Sequence, residues 1–322
     1  MSNILIAGGG AAGMAAAVFA AEKGCQVHLF EKNEKLGKKL FITGKGRCNF
    51  TNDCPEEDFF ASVVSNPKFL YSSLYGFNCQ ASIAFFENLG VPVKVERGNR
   101  AFPASDHSSD IIRALERRLR ELGVKISLNT EVREVFCREG RAAGLLLKDG
   151  TRIHGDAVLI AAGGLSYPST GSTGDGYRMA REVGHSISDL RPSLVPVMIR
   201  ERFAAELSGL TLKNVTLSVF EEGRKKPVYS ELGEVSFAAY GIAGPLTLSA
   251  SCVMDTDKLE GGKYTAVIDL KPALDREQLD RRLLRDFESA HGDSFEKELT
   301  RLLPVQMIPV FANLTGIDHA LS

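Results

Sequence analysis

Residues 3–31 read NILIAGGGAAGMAAAVFAAEKGCQVHLFE, and this stretch decides the fold. The short apolar run at residues 3–7 predicts a buried strand that ends at a glycine turn. Residues 11–23 have the composition of a helix that stops at Gly24, and residues 26–30 predict a second strand. The stretch therefore predicts a strand, a helix and a second strand in succession.

The glycines of Gly8-x-Gly10-x-x-Gly13 match the fingerprint of a dinucleotide-binding turn. The first glycine permits a tight turn, the second lets the backbone approach a pyrophosphate, and the third lets the helix pack close to the strand. The free N–H groups of the first helical turn, at Ala11 and Ala12, favour an anion. A structural turn without a ligand is the alternative, but it does not explain three glycines at this spacing.

An acidic residue stands where a dinucleotide-binding unit needs one. Glu31 lies eighteen residues after Gly13, at the end of the second predicted strand, and is followed by Lys32. A carboxylate there is expected to accept hydrogen bonds from both ribose hydroxyls and disfavours a 2′-phosphate. Together with the glycines, Glu31 predicts that an adenine dinucleotide binds at this end of the chain.

The composition is that of an ordinary globular protein. The 322 residues include 25% charged and 44% apolar residues with a net charge of -1, so neither nucleic acid nor a membrane is an expected partner. Six cysteines without a C-x-x-C pair, and no secretory signal, indicate reduced thiols and a cytoplasmic location. The charge-free stretch of residues 4–21 holds four glycines and lacks a basic start, unlike a signal peptide or membrane helix.

Later segments alternate between helical and strand patterns. Helices are predicted at residues 66–89 and 109–122, with a hairpin at 97–100 between them. Strands are predicted at residues 125–128, 131–137, 142–147 and 157–162, the last of which enters Gly163-Gly164. After about Asp189 the pattern becomes rich in strands, and from Arg276 it becomes helical and charged.

Two glycine-rich runs carry a family resemblance, GKKLFITGKGRCN at residues 37–49 and GGLSYPSTGSTGDG at residues 163–176. Together with LSGLTLKNV at 207–215 and GEVSFAAYGIAGP at 233–245, they resemble the bacterial BaiN-like flavoproteins. These proteins are also called aminoacetone-oxidase-family FAD-binding enzymes and belong to the glutathione-reductase superfamily. The resemblance covers nearly the whole chain.

The resemblance implies an α/β fold with a Rossmann-type FAD-binding domain at residues 1–190. An inserted β-rich subdomain at 191–275 and a partial helical subdomain at 276–322 would complete it. It further implies an oxidoreductase with FAD as cofactor, NAD(P)H as transient electron donor and a small-molecule substrate; the oligomeric state stays open. The family continues into a closing segment of the FAD domain that residues 300–322 do not supply, so a truncated, non-catalytic nucleotide-binding relative is an alternative.

The resemblance also implies where the cofactor is held. In such proteins the backbone at the position of Val132 meets the adenine, and the turn at Ala162, Gly163 and Gly164 passes near the cofactor. Donors in the loop from Lys39 to Asn49 are expected to reach the pyrophosphate or the flavin, unless this is a solvated basic loop. The candidate cofactor-binding residues are Gly8, Gly10, Ala11, Ala12, Gly13, Glu31, Lys32, Lys39, Gly46, Arg47, Cys48, Asn49, Val132, Ala162, Gly163 and Gly164.

Other chemistries have weaker support. Cys48 and Cys54 suggest a flavin disulfide reductase, but five residues separate them instead of four, no second GxGxxG follows, and a small packing thiol is the alternative for each. The histidines show no metal-ligand spacing, so no metal is predicted. No catalytic acid or base is identified. An RNA-modifying flavoprotein would be expected to carry basic patches, which the nearly neutral chain does not favour.

Overall fold

The computed structural model describes residues 1–289 and 294–317. By its internal contacts the chain divides into two compact units, Met1–Asp189 and a second that begins at Leu190. The division of the second unit into a β-rich and a helical subdomain at residue 276 stays a prediction. Within the described residues, no helix is both long and apolar enough to cross a membrane.

The first unit combines a parallel sheet, two antiparallel sheets and helices. Its strands are β1 (Asn3–Ala7), β2 (Gln26–Phe30), β3 (Thr51–Asn52), β4 (Val93–Glu96), β5 (Arg100–Pro103), β6 (Lys125–Ser127), β7 (Val132–Arg138), β8 (Arg141–Leu147), β9 (Arg152–His154) and β10 (Ala157–Ile160). Its helices are α1 (Ala11–Glu22), α2 (Lys38–Ile42), α3 (Glu56–Ala61), α4 (Tyr71–Gly76), α5 (Cys79–Asn88), α6 (Ser108–Glu121) and α7 (Asp175–Glu182). Short 3-10 helices lie at Thr43–Gly46, Pro67–Leu70 and Pro168–Thr170.

A parallel sheet in the order β10-β1-β2-β6 forms the centre of this unit. Successive side chains of β1 point to opposite faces, so Ile6 packs with the helices α1 and α6, while Leu5 packs toward β7 and β8. Both residues are fully buried. The Rossmann-type fold predicted from the opening residues is confirmed.

Two antiparallel sheets flank the parallel one. The strands β7, β8 and β9 form a meander, and β3, β5 and β4 form a second small sheet. The hairpin predicted at residues 97–100 is present, because β4 and β5 pair antiparallel with Glu96 opposite Arg100. This places the segment after α5 next to the loop that follows α2.

The continuous helix predicted at residues 66–89 is wrong. The chain forms a 3-10 helix, then α4, and a new helix α5 that begins at Cys79. Phe77 leaves the helical conformation, with φ -152° and ψ 82°, and the side chain of Asn78 accepts a hydrogen bond from the amide of Ala81 at 2.8 Å. The Asn78 cap starts a new helix, which outweighs the apolar periodicity that runs through the segment.

The second unit is built on an antiparallel sheet in the order β11-β14-β13-β12-β15. Its strands are β11 (Val197–Met198), β12 (Thr211–Glu221), β13 (Tyr229–Ala238), β14 (Gly241–Ala243) and β15 (Tyr264–Asp269). Its helices are α8 (Phe203–Glu206), α9 (Pro245–Ser251), α10 (Thr256–Glu260), α11 (Arg276–Glu288), α12 (Phe295–Leu299) and α13 (Ile308–Thr315), with a 3-10 helix at Val305–Met307.

One face of that sheet carries its apolar core. Along β12, Val215, Leu217 and Val219 are buried at alternate positions, as expected for a strand with one face covered. The helix predicted from Arg276 is confirmed, and a capping box between Asp275 and Gln278 fixes its start. The described residues thus show the mixed α/β architecture expected from the sequence.

Candidate functional site

A cleft of about 530 Å³ lies in the first unit, at the carboxyl ends of its parallel strands. The last residues of β1, β2 and β10, which are Ala7, Phe30 and Ile160, all line it. In open α/β sheets, this edge is where ligands bind, because the turns that follow the strands converge there. The cleft is therefore the candidate site for the predicted dinucleotide.

The glycine turn that follows β1 forms the floor of the cleft. A Cβ atom on Gly13 would lie 1.9 Å from the carbonyl oxygen of Gly8, so only glycine lets α1 approach the strand this closely. A Cβ on Gly10 would instead meet nothing within 4 Å, and Gly10 lines the cleft. No side chain caps α1, which leaves the amides of its first turn to an anionic ligand.

Glu31 is a buried carboxylate on the wall of the cleft, only 8% exposed. Its Oε2 accepts a hydrogen bond from the amide of Gly9 at 2.7 Å, and its Oε1 accepts from the amide and Nδ2 of Asn33 at 2.8 and 2.6 Å. A carboxylate has about four acceptor positions, so room for about one further donor remains. That Glu31 accepts hydrogen bonds from both ribose hydroxyls stays a prediction. It would require one hydroxyl to share an acceptor position with a donor that already bonds to Glu31.

Two lysines on the cleft wall are engaged by the second glycine-rich run. Lys32 Nζ donates to Asp175 Oδ2 at 2.7 Å and to Thr173 Oγ1 at 2.8 Å. Burial acts to raise the pKa of Asp175, but the hydrogen bonds from Lys32 and Thr173 outweigh it, and the pKa lies below its ordinary value. Lys39 Nζ lies 3.3 Å from Ser166 Oγ, and burial lowers the pKa of its ammonium.

The structure brings most of the predicted cofactor-binding residues together around this one cleft. Those on its wall are Gly8, Gly10, Ala11, Ala12, Glu31, Lys32, Lys39, Val132, Ala162 and Gly163. Those outside it are Gly13, which packs under the turn, and Gly46, Arg47, Cys48, Asn49 and Gly164. Their roles in cofactor binding stay predictions.

Arg47 is held by acidic partners away from the cleft. Its guanidinium bonds to Glu96 and to Asp106, the latter at 2.7 Å, and stacks 4.2 Å from the centre of the Phe102 ring. Asn49 Nδ2 donates to the carbonyl of Ala101 at 2.9 Å. In the structure these two side chains fix the loop after α2 against the β4–β5 hairpin.

The two cysteines considered for disulfide chemistry are free thiols. Cys48 is 1% exposed and belongs to the apolar core between the parallel sheet and its helices. Burial raises the pKa of the Cys48 thiol, against a smaller opposing effect of a hydrogen bond with Thr43. A thiol that resists ionisation is a poor nucleophile, so the geometry favours the packing interpretation of Cys48.

The sequence analysis did not name Asn33, or residues 170–172 individually, as part of the cleft. Asn33 holds Glu31 and also donates from Nδ2 to the carbonyl of Thr170 at 3.1 Å. Its position just after a strand end is typical of an asparagine that bonds to nearby backbone, and this was the available signal. Its link to Thr170, 137 residues away, has no signature in the local sequence.

The donors and acceptors of the cleft fit an adenine dinucleotide. Uncapped amides at a helix start match a pyrophosphate, the open space at Gly10 admits it, and the buried carboxylate of Glu31 matches a ribose. Within residues 1–289 and 294–317, no group of His, Cys, Asp and Glu is arranged to hold a metal ion. His291 and His319 lie outside the described residues.

Comparison with known proteins agrees with this geometry. Residues 2–271 match the family model described as HI0933-like protein Rossmann domain. The chain is 30% identical over 320 residues to the 3-dehydro-bile acid delta(4,6)-reductase of Clostridium scindens, covering 98% of this chain and 76% of that protein. It is 29% identical over 315 residues to the ribosomal RNA dihydrouridine synthase of Haemophilus influenzae, covering 96% and 74%.

Among solved structures, the chain is similar to the 3-ketosteroid-delta4-(5alpha)-dehydrogenase of Rhodococcus jostii RHA1 in complex with 4-androstene-3,17-dione. It is 14% identical, with a TM-score of 0.47, and the match covers 70% of this chain and 60% of that one.

Proposed function

The chain belongs to the HI0933-like family of FAD-dependent Rossmann proteins, and from that premise we propose that it is an NAD(P)H-linked reductase of a small organic substrate. The bond reduced is a carbon–carbon double bond conjugated to a carbonyl group. The observation that carries the proposal is the cleft in which the uncapped start of α1 faces the buried carboxylate of Glu31.

Each part of the cleft has a task in this proposal. The first-turn amides of α1 bind the pyrophosphate, Gly10 leaves space for it, and Glu31 holds the adenosine ribose. Bound FAD supplies the two-electron redox chemistry. The protein groups bind and orient, and none of them is assigned as a catalytic acid or base.

The substrate class is supported by what two relatives' names have in common. One name describes reduction of the delta(4,6) double bonds of a 3-dehydro-bile acid, and the other describes formation of dihydrouridine from uridine. Both reactions saturate a carbon–carbon double bond conjugated to a carbonyl. The balanced proposal consumes one NAD(P)H and one proton, adds two hydrogens across the double bond, and releases NAD(P)⁺.

RNA reduction is a second candidate, which the Haemophilus influenzae relative favours. A protein that binds RNA neutralises phosphates with lysine and arginine. This chain has 39 such residues against 40 acidic ones, and its isoelectric point is about 6.6. The charge balance supports the small-molecule proposal over the RNA candidate.

The test starts from the absorption spectrum of the protein purified with added FAD, followed by anaerobic titration with NADPH and NADH. We expect a bound flavin that at least one nucleotide bleaches. Turnover is then measured with a 3-oxo-4,6-diene steroid acid, by loss of conjugated absorbance, and with ribosomal RNA, by the mass gain of two hydrogens on uridine. Glu31→Gln is the binding-deficient control.

This assay distinguishes the small-molecule proposal from the RNA candidate. Reduction of the steroid enone and not of uridine supports the proposal, and the reverse result supports the RNA candidate. Failure to take up FAD, or a flavin that neither nucleotide reduces, contradicts both.

A further inference from the structure

The segment of residues 163–176, called the strap below, runs from the end of β10 to the start of α7 and forms one wall of the cleft. Gly163, Thr170, Gly171 and Ser172 all line the cleft. Nothing within the strap is a regular strand or α-helix except its last two residues, where α7 begins at Asp175. Its position therefore depends on contacts with other parts of the first unit.

Those contacts are made with Lys32 and Asn33, the two residues that follow Glu31 in the sequence. Lys32 Nζ reaches Thr173 and Asp175 at 2.8 and 2.7 Å, and Asn33 Nδ2 reaches the carbonyl of Thr170 at 3.1 Å. The partners are separated by 137 to 143 residues in the chain. Lys32 and Asn33 therefore hold the strap against the side of the cleft that carries Glu31.

The backbone of the strap is seated directly on these two side chains. Gly171 has φ +99°, and a Cβ there would lie 2.7 Å from Asn33 Nδ2 and 3.1 Å from Lys32 Cε. A larger residue would both strain the backbone and push the strap away. The Lys32 and Asp175 side chains are each 26% exposed, so their ion pair is only partly screened by solvent.

We infer that the strap closes over bound FAD and that Lys32 and Asn33 fasten it, so that these contacts set how long the cofactor stays bound. The inference rests on the proposed function, since it concerns the same cleft. Lys32 is thus a positioning residue that acts through Asp175 and Thr173. If Lys32 instead contacted FAD directly, Lys32→Met would speed FAD release and Asp175→Asn would not.

The experiment measures the rate of FAD release from the FAD-loaded protein, by the rise in flavin fluorescence after dilution into flavin-free buffer. We expect Lys32→Met and Asp175→Asn each to speed release by about fivefold, as for loss of a partly exposed ion pair. The double variant should release FAD no faster than the faster single one, because both remove the same interaction. Lys32→Arg should restore slow release, and Gly171→Ala should speed it without changing any charge.

Glu182→Gln is the matched control. It removes an ion pair of similar length on the same helix, Arg178 with Glu182 at 2.9 Å, away from the cleft wall. We expect it to release FAD at the wild-type rate. As a second readout, amide hydrogen exchange of residues 163–176 should be faster in Asp175→Asn than in Glu182→Gln.

Three results overturn the inference. Equal release rates for wild type, Lys32→Met and Asp175→Asn mean that the fastening does not hold the cofactor. Faster release in Lys32→Met alone means that Lys32 contacts FAD directly. A wild-type protein that takes up no FAD contradicts the proposed function as well, which distinguishes that failure from the other two.

Discussion

Replacing Gly13 and Gly10 by alanine, one at a time, should separate folding from cofactor binding. Both belong to the glycine turn after β1, where the motif predicts that Gly10 lets the backbone approach a pyrophosphate and that Gly13 lets the helix pack close to the strand. The structure shows the surroundings of each. Gly13 lies against the backbone of Gly8, while Gly10 borders open space in the cleft.

The expected magnitudes follow from these surroundings. In a helix, alanine is favoured over glycine by about 1 kcal/mol, so propensity alone predicts that Gly13→Ala stabilises α1. The added Cβ, however, would lie 1.9 Å from a carbonyl oxygen, where real Cβ contacts do not fall below 3.0 Å. Overpacking costs about 1–3 kcal/mol, and a backbone neighbour gives way less than a side chain, so we expect a net loss of about 2 kcal/mol.

Gly10→Ala should weaken FAD binding more than it lowers stability. Gly10 precedes α1 with φ -81° and ψ -169°, a conformation that alanine adopts without strain. Alanine is a poorer N-cap than glycine, which limits the loss of stability to about 1 kcal/mol or less. The methyl group enters the space that the pyrophosphate needs, and we expect FAD binding to weaken by about tenfold or more.

The assay combines urea unfolding of the apoprotein, followed by circular dichroism, with FAD titration followed by flavin fluorescence. Gly13→Ala should lower the unfolding midpoint, and Gly10→Ala should leave it near the wild-type value while weakening FAD binding. The reasoning is refuted if apo Gly13→Ala is as stable as wild type, or if Gly10→Ala binds FAD as tightly as wild type.

Three further predictions concern other parts of the chain. Burial and the nearby charge of Lys125 lower the pKa of His28 to about 4, so stability should be full above the ordinary value near 6.5 and fall as the pH drops toward 4. Because the His28 side chain is only partly buried, we expect the free energy of unfolding to fall by about 1 kcal/mol over that pH range, measured by urea unfolding. His28→Gln should flatten this pH dependence, and an unchanged slope in that variant would contradict the assignment to His28. Alkylation followed by mass spectrometry should modify exposed Cys137 well before Cys48, whose thiol pKa burial raises, and equal rates would show that the core opens readily. Leu217→Ala, at a fully buried position of β12, should cost about 2–5 kcal/mol in unfolding free energy, and a loss under 1 kcal/mol would mean that the site collapses around the cavity.

The opening of the chain was determined by its sequence. The apolar run, the glycine spacing and the acid at Glu31 are local features, and each restricts the backbone or the burial of the residues that carry it. The hairpin between β4 and β5 and the start of α11 were likewise encoded by turn and capping residues within a few positions. The helix prediction failed at residues 66–89 because it rested on the apolar pattern alone and passed over another local feature, the cap at Asn78.

Only the tertiary structure decided how charged and polar groups pair around the cleft. The sequence predicts Arg47 as a cofactor-binding residue, but it does not show that β4 and the turn after β5 bring Glu96 and Asp106 to its guanidinium. Lys32 meets Asp175 across 143 residues because β10 lies beside β1 in the sheet and returns the strap to the first glycine turn. Such pairings depend on chain topology, since a charge in the sequence carries no information about which distant partner the fold will place within hydrogen-bonding distance.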